Sequence, residues 1–245
     1  MKKTRLDVAI VEKGLLKNRQ RARAFIMTGK VRVNDQIILK PGAFIHHEDN
    51  IVIKSADHPY VSRGGLKLAE AVRTFGICVS GFVCLDVGAS TGGFTDCLLQ
   101  HGASCVYAVD VGYGQLAWKL RQDPRVVVIE RTNIRYMLRD ALPQPVDLVT
   151  IDVSFISLRI VVPAVLKFLK RNARILALIK PQFEVSRGLV GKGGVVRDPA
   201  LHVQIIDDLK DFFVKTDLIC ESFADSPILG TKGNKEFIIA LKYAK

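Results

Sequence analysis

Two apolar runs end in residues that could do chemistry. Ile175 to Ile179 runs into Lys180 and then Pro181, in the string "ALIKPQFE". "VDLVTID" ends in Asp152. Runs of this kind are strands buried on both faces of a parallel sheet, and the proline stops the first one. A lysine at a strand tip most often points into solvent, because it is seldom buried without a partner. At the carboxyl edge of an open α/β sheet, however, strand tips meet ligands. A lysine there can take a proton from a hydroxyl once burial or a neighbouring cation brings its pKa down from the ordinary value of about 10.4. Two further charged residues flank apolar segments. Lys67 lies in "SRGGLKL", entering a helix, and Glu236 lies in "KGNKEF", before the last apolar run.

A second signal is the turn "GASTGGFTD", residues 88 to 96, which follows the apolar run "FVCLDV" and opens a helix. Glycines at such a turn let backbone approach a ligand, and the helix N-terminus favours an anion or carboxylate. The spacing is neither the dinucleotide G-x-G-x-x-G nor a P-loop. Asp86 ends the first strand and Asp110 the second. A carboxylate in the second place suits the ribose hydroxyls of NAD and of S-adenosylmethionine alike, and the glycine spacing favours the latter. In "ERTNIR", after the third strand, Asn133 and Ile134 fall where an adenine edge would lie. "IDVSF" lacks the Asn/Asp-Pro-Pro-aromatic string of amino-group methyltransferases, and no cysteine stands there to attack a pyrimidine ring.

These positions require a sheet. "FVCLDV", "SCVYAVD", "RVVVIE", "VDLVTID" and "RILALIK" read as apolar strands separated by helical stretches, with "DLICESFADSP" and "KEFIIALKY" as two more. The pattern predicts an α/β, doubly wound sheet of Rossmann-like type. The first quarter of the chain has a different grammar. "RLDVAIVEKG" predicts a helix with Leu6, Ala9 and Ile10 on one face. "NRQRARAFIMTGK" predicts a second, capped by Asn18, with Ala22, Phe25 and Ile26 inward. Strand, Asn-Asp turn and strand follow in "KVRVNDQIIL", and "NIVIK" is a further strand. The expected division is a small α+β domain over 1–58, a linker over 59–66 and a large domain over 67–245.

The formal net charge is +12 and the pI about 9.6, which points to a polyanionic partner. Residues 1–60 carry 12 Lys and Arg against 6 Asp and Glu, so half of the excess sits in a quarter of the chain. Arg19 and Arg23, at i and i+4, repel each other by a few tenths of a kcal/mol, a cost that a bound phosphate would relieve. The stretch 184–198 holds four glycines with Arg187, Lys192 and Arg197. It reads either as a mobile lid on RNA phosphates or as a long solvated connection. The five cysteines form no CxxC or CxxH pair, so neither zinc nor a disulfide framework is expected. No signal-peptide core opens the chain and no run reaches the ~18 apolar residues of a membrane helix.

Residues 4–54, with two helices, arginines on the second and then "GKVRVNDQ", resemble the S-four RNA-binding domain. The strings "SRGGLKL", "DVGASTGGFTD", "IDVSFISL", "LIKPQFE" and "KGNKEF", in this order behind that domain, resemble the TlyA family of ribose methyltransferases end to end. The resemblance implies an FtsJ-type domain that transfers a methyl group from S-adenosylmethionine to the 2'-hydroxyl of a cytidine in ribosomal RNA. It groups Lys67, Asp152, Lys180 and Glu236 as a catalytic tetrad. With both lysines in one pocket, their repulsion would favour a neutral amine, so Lys180 is expected as the base and the others as positioning groups. It puts the cofactor on Asp86, Gly88, Ala89, Ser90, Thr91, Gly92, Gly93, Phe94, Thr95, Asp110, Val111, Asn133 and Ile134. RNA would be held by Arg5, Arg19, Arg23, Lys30, Arg32, Arg63, Arg187 and Lys192. Some members modify both ribosomal subunits and others, with shorter ends, only the large one; from the short tail after Glu236 the latter is expected here. A cytoplasmic monomer without a metal or a membrane is expected. The alternatives are an RNA-binding protein with an idle methyltransferase fold, or the membrane-active hemolysin whose label the family often carries. Neither secretion nor pore formation has support in the sequence.

Overall fold

The computed structural model describes residues 3–16, 18–53 and 58–244, and of Arg187 the backbone alone. Its contacts divide into two compact units, Met1–Pro59 and Tyr60–Lys245.

In the first unit, β1 (Lys3–Arg5) leads into α1 (Leu6–Glu12), followed by α2 (Arg19–Met27), β2 (Val31–Val33), β3 (Gln36–Ile37), β4 (Phe44–His46) and β5 (Ile51–Ile53). The Asn18 side chain accepts from the Arg21 N–H and so caps α2. Asn34 and Asp35 both take positive φ, +48° and +65°, the two-residue turn that joins β2 to β3 with the twist of the strands. β2 lies between β3 and β5, while β1 pairs antiparallel with β4, a pairing the sequence pattern does not announce. Leu6, Ala9 and Ile10 meet Ala22, Ile26, Val31, Val33, Ile45 and Ile51 in one core, with Phe25 partly buried against it. Lys54, which would end the "NIVIK" strand, lies outside the described residues.

The second unit opens with α3 (Gly64–Thr74). Then come β6 (Val83–Val87), α4 (Gly93–Gln100), β7 (Cys105–Val109), α5 (Trp118–Arg121), β8 (Val126–Ile129), β9 (Val146–Ile151), α6 (Leu158–Val165), β10 (Leu169–Ile179), α7 (Pro181–Glu184), α8 (Pro199–Val214), β11 (Leu218–Asp225) and β12 (Phe237–Tyr243). The seven strands stand in the order β11-β12-β10-β9-β6-β7-β8. β6 to β10 run parallel, and β12 inserts antiparallel between β10 and β11. Strand order reverses at β6, so the crevice beyond its carboxyl end is where a ligand belongs. Both faces of the sheet are apolar, as the continuous hydrophobic strands require. Leu85, Val149 and Ile175 face Val161, Val165 and Leu209 of α6 and α8 on one side. Cys84, Leu148 and Leu176 face Leu68, Val72 and Leu98 of α3 and α4 on the other.

Two details differ from the sequence pattern. Helix is scarce between β7 and β9: α5 has one turn, and residues 130–145 contain only a 3₁₀ turn at Arg139–Ala141. Pro143 and Pro145 remove backbone donors there. Residues 60–66 are not a free linker. Val61 N–H donates to the Asp96 carboxylate at 2.8 Å, and Tyr60 packs so closely on Gly65 that a Cβ there would overlap its ring.

Candidate active site

The carboxyl ends of β6, β9 and β10 converge with α3 and the start of β12. Gly88, the first residue after β6, takes φ +85°, and a Cβ on it would lie 2.5 Å from the Asp152 carbonyl oxygen. Only glycine satisfies both demands. The Asp152 N–H in turn donates to the Val87 carbonyl, so the tips of β6 and β9 are locked together.

Lys180 does not point into solvent. Its side chain is 11% exposed, and Nζ lies 2.6 Å from Asp152 Oδ1 and donates to Ser154 Oγ at 3.1 Å. Lys67, from α3, pairs with Glu236, whose side chain is 3% exposed. The Glu236 carboxylate fills the space that a Cβ on Gly230 would occupy. The sequence pattern leads one to expect two lysines close enough to repel, with Asp152 and Glu236 limiting the imbalance of charge. The structure instead gives each lysine its own carboxylate, so the four charges balance as two pairs. Lys67, Asp152 and Lys180 line one cavity of about 320 Å³ with Gly88, Ser90 and Phe94, and Glu236 joins Lys180 in an adjoining one.

A longer cleft of about 980 Å³ runs from Gly88 and Asp152 past Asp110 to Asn133 and Ile134. That is ample for a nucleoside-sized ligand. Asp110 accepts from the Ser90 N–H and the Gly112 N–H, both at 2.7 Å. Each oxygen keeps a second lone pair, which fits a ribose diol. Val111 and Ile134 give that end apolar walls. Asn133 turns its oxygen to the backbone and side chain of Arg135. The residues present therefore fit S-adenosylmethionine.

Three expected cofactor residues do not reach these cavities. Asp86 is fully buried and accepts from Thr95 Oγ1 at 2.6 Å and Thr150 Oγ1 at 3.0 Å. Burial, against those two hydrogen bonds and with the nearby Asp152 charge, pushes its carboxyl up to about 6. Asp86 and Thr95 thus brace the glycine turn from below. Gly92 takes φ +95° and faces the Leu116 and Leu120 side chains. Its freedom serves the close packing of α5 on the turn. Four more lining residues, Ser154, Phe155, Gln182 and Phe183, stand in the strings "IDVSFISL" and "LIKPQFE" without a role that the sequence assigns. Phe155 is 90% exposed at φ +64° and packs on Phe183, ring centroids 5.0 Å apart. An exposed aromatic in left-handed backbone is unusual enough to mark function, a signal available only from coordinates.

The basic residues of the first unit are more constrained than expected. Asp7, fully buried, accepts from Arg5 Nε at 3.0 Å and from an Arg19 terminal nitrogen at 2.9 Å. The Arg5 hydrogen bond, opposed by desolvation and helped by Arg19, lowers its carboxyl to about 2. The repulsion between Arg19 and Arg23 is thus relieved within the chain, without an external anion. Arg23 and Arg32 are exposed, and Lys30 lies over the Phe25 ring at 5.3 Å. In the second unit Arg63 lines the smaller cavity. Lys192 is exposed, and the Arg187 side chain lies outside what is described. The stretch around Lys192 is not a loose lid. Gly191 bridges Val195, Val195 and Val196 are buried, and the buried Asn234 binds both Val196 N–H and the Gly194 carbonyl. Among the described residues no helix is long and apolar enough to cross a membrane.

Comparison with known proteins agrees with this geometry. Residues 60–243 match the FtsJ-like methyltransferase model and residues 4–51 the S4 domain model. YqxC of Bacillus subtilis, named as a candidate rRNA methyltransferase, is 48% identical over 99% of this chain and 86% of its own. The Mycobacterium tuberculosis protein named 16S/23S rRNA (cytidine-2'-O)-methyltransferase TlyA is 44% identical over 98% of this chain and 90% of its own. A solved structure from Streptococcus thermophilus, titled as a hemolysin, superposes with a TM-score of 0.78 at 41% identity, covering 100% of this chain and 90% of the other. The chain belongs to the FtsJ-like methyltransferase family and carries an S4 domain at its N-terminal end.

Proposed function

We propose that this methyltransferase acts on the 2'-hydroxyl of a cytidine in ribosomal RNA. The observation that carries the reading is the Lys180–Asp152 pair, backed by Lys67–Glu236, in cavities that share Gly88 and Asp152 or Gln182 with a nucleoside-sized cleft. S-adenosylmethionine, when bound, supplies a methyl group on a positively charged sulfur. Gly88, Ser90 and Asp110 would hold it, and Val111 and Ile134 would flank its base. A ribose hydroxyl is a weak nucleophile and must lose its proton as it attacks. Lys180 is the base in this reading: it gives up its own proton to solvent before the step and takes the hydroxyl's proton in it. Its contacts with Asp152 and Ser154 stabilise the ammonium that results and fix the amine in direction. Lys67 and Glu236 orient the incoming ribose. Most of the remaining acceleration is alignment of the hydroxyl with the methyl group. Phe155, exposed and backed by Phe183, offers a flat face to a base turned out of its stack. The exposed Arg23 and Arg32 of the S4 domain provide contacts to RNA phosphates, and the protein works in the cytoplasm, where ribosomes are.

The test is incubation with methyl-labelled S-adenosylmethionine and unmodified ribosomal subunits, large and small offered separately, followed by mapping of the label. Label on a cytidine ribose of the large subunit is the expected result. Label on a base, or none on either subunit, would refute the reading. Label on the small subunit at a comparable rate would correct the choice of subunit and leave the chemistry standing.

A further inference from the structure

Gln182 stands two residues beyond Lys180 and borders two cavities. One is the long cleft that ends at Asp110 and Asn133; the other, of about 330 Å³, holds Lys180, Glu236 and Lys232. Phe155 and Phe183 border both as well. The Gln182 side-chain oxygen is sealed from solvent, yet among the described residues nothing donates to it. Buried acceptors are almost always matched in native proteins, and the exceptions call for a reason. Lys180 Nζ, which lines the same cavity, is already taken by Asp152 and Ser154. A ligand can supply the missing donor once the Gln182 amide turns into the cavities that its side chain borders.

Which ligand follows from topology. The adenosine end of the long cleft lies beyond the tips of β7 and β8, at Asp110 and Asn133, on the other side of β6 and β9 from Gln182. The donor must come from the molecule whose hydroxyl sits at Lys180. On the reading above that is a cytidine. Its base would enter between the aromatic walls of Phe155 and Phe183. Cytosine carries a 4-amino donor where uracil carries an acceptor oxygen. We propose that the Gln182 side-chain oxygen accepts an N–H from the 4-amino group of the target cytosine. Gln182 then determines the choice of cytidine over uridine, a role that rests on the function proposed above. A site with a buried group awaiting a partner rejects analogues that lack it far more strongly than an apolar pocket can.

The experiment uses the full-length protein and ribosomal RNA carrying, at the mapped position, either cytidine or its analogue with hydrogen in place of the 4-amino group. Wild type should favour cytidine by roughly 10- to 100-fold in kcat/KM. Gln182→Leu should lose that preference, using both substrates at the wild-type rate on the analogue, with S-adenosylmethionine affinity unchanged. Gln182→Glu, an acceptor only, should keep it and serves as the folded control. A Gln182→Leu variant that still prefers cytidine as strongly overturns the proposal. So does a Gln182→Glu variant that loses the preference, because the amide nitrogen would then be the reading atom. A loss of S-adenosylmethionine affinity alone in Gln182→Leu overturns it too, by assigning the donor to the cofactor. Wild type that methylates only nucleosides other than cytidine would overturn the underlying reading and the proposal together.

Discussion

The Lys67–Glu236 pair allows stability and activity to be separated. Both side chains are nearly dry, 11% and 3% exposed, and they bind each other across the site. Glu236→Gln leaves the Lys67 ammonium in that dry place with a neutral partner. Removing one member of a buried pair costs about 3–5 kcal/mol, because the other charge stays uncompensated. For a unit the size of Tyr60–Lys245, that is a fall in Tm of roughly 6–20 °C. The glutamate cannot be displaced at small cost, because its carboxylate occupies the space beside Gly230. The double variant Lys67→Met/Glu236→Leu removes both charges, and a hydrophobic replacement of a buried pair is often neutral. Its Tm should return to within about 4 °C of wild type. Methyl transfer should stay absent in both variants, if the pair orients the ribose. The assays are calorimetric unfolding and label incorporation on the same preparations. A Glu236→Gln Tm within about 2 °C of wild type would show that the pair is not a dry charge pair. Recovery of activity in the double variant would reduce the pair to a structural role.

Lys180→Ala should abolish methyl transfer while leaving S-adenosylmethionine affinity, read by calorimetry, within about threefold; substantial residual turnover would remove Lys180 from the role of base. Asp110→Asn places an amide donor against one of the Ser90 and Gly112 N–H groups and should weaken the cofactor roughly tenfold or more; unchanged affinity would put the ribose elsewhere. Asp86, raised to about 6 by burial, predicts a pH dependence of stability. Its folded pKa lies above the unfolded value of about 3.9, so unfolding releases a proton between them, and stability falls as pH rises from about 4 to about 6, by about 3 kcal/mol, then levels off. Asp86→Asn should remove that slope in denaturant titrations at pH 4, 5, 6 and 7; an unaltered slope would assign it to other groups. Arg23→Ala should weaken matched and unmatched RNA alike and reduce the slope of log K against log salt by roughly 0.7 if the strand there is single. Arg19→Ala should in addition lower the stability of the first unit by leaving the buried Asp7 with Arg5 as its one arginine partner, an effect that Arg23→Ala lacks.

How far the sequence reaches depends on the range over which a residue finds its partner. The strands of the large sheet are legible because burial on both faces writes itself as a continuous apolar run. The turn after β6 is legible because Gly88 must meet the Asp152 carbonyl at a positive φ. Arg19 is legible as an outward arginine by its spacing from Arg23. Its partner is not, because Asp7 comes from the other helix, and that partner removes the argument that a phosphate must lie between the arginines. The loop at 188–195 looks loose from its glycines and is closed by Asn234, some 40 residues on. The two ion pairs show the same limit most clearly. Four charged residues in a given order can be grouped by resemblance, but which lysine takes which carboxylate is decided by topology. Glu236 is 169 residues from Lys67 in the chain. It reaches the site only because β12 inserts antiparallel between β10 and β11, which brings the start of β12, rather than its end, to the edge where β6, β9 and β10 finish. A parallel last strand would deliver Tyr243 to that edge and leave Lys67 without its carboxylate. The reversed strand is therefore a condition of the site, and the lysine at the tip of β10 is tolerable because Asp152, at the tip of the neighbouring parallel strand, arrives at the same height.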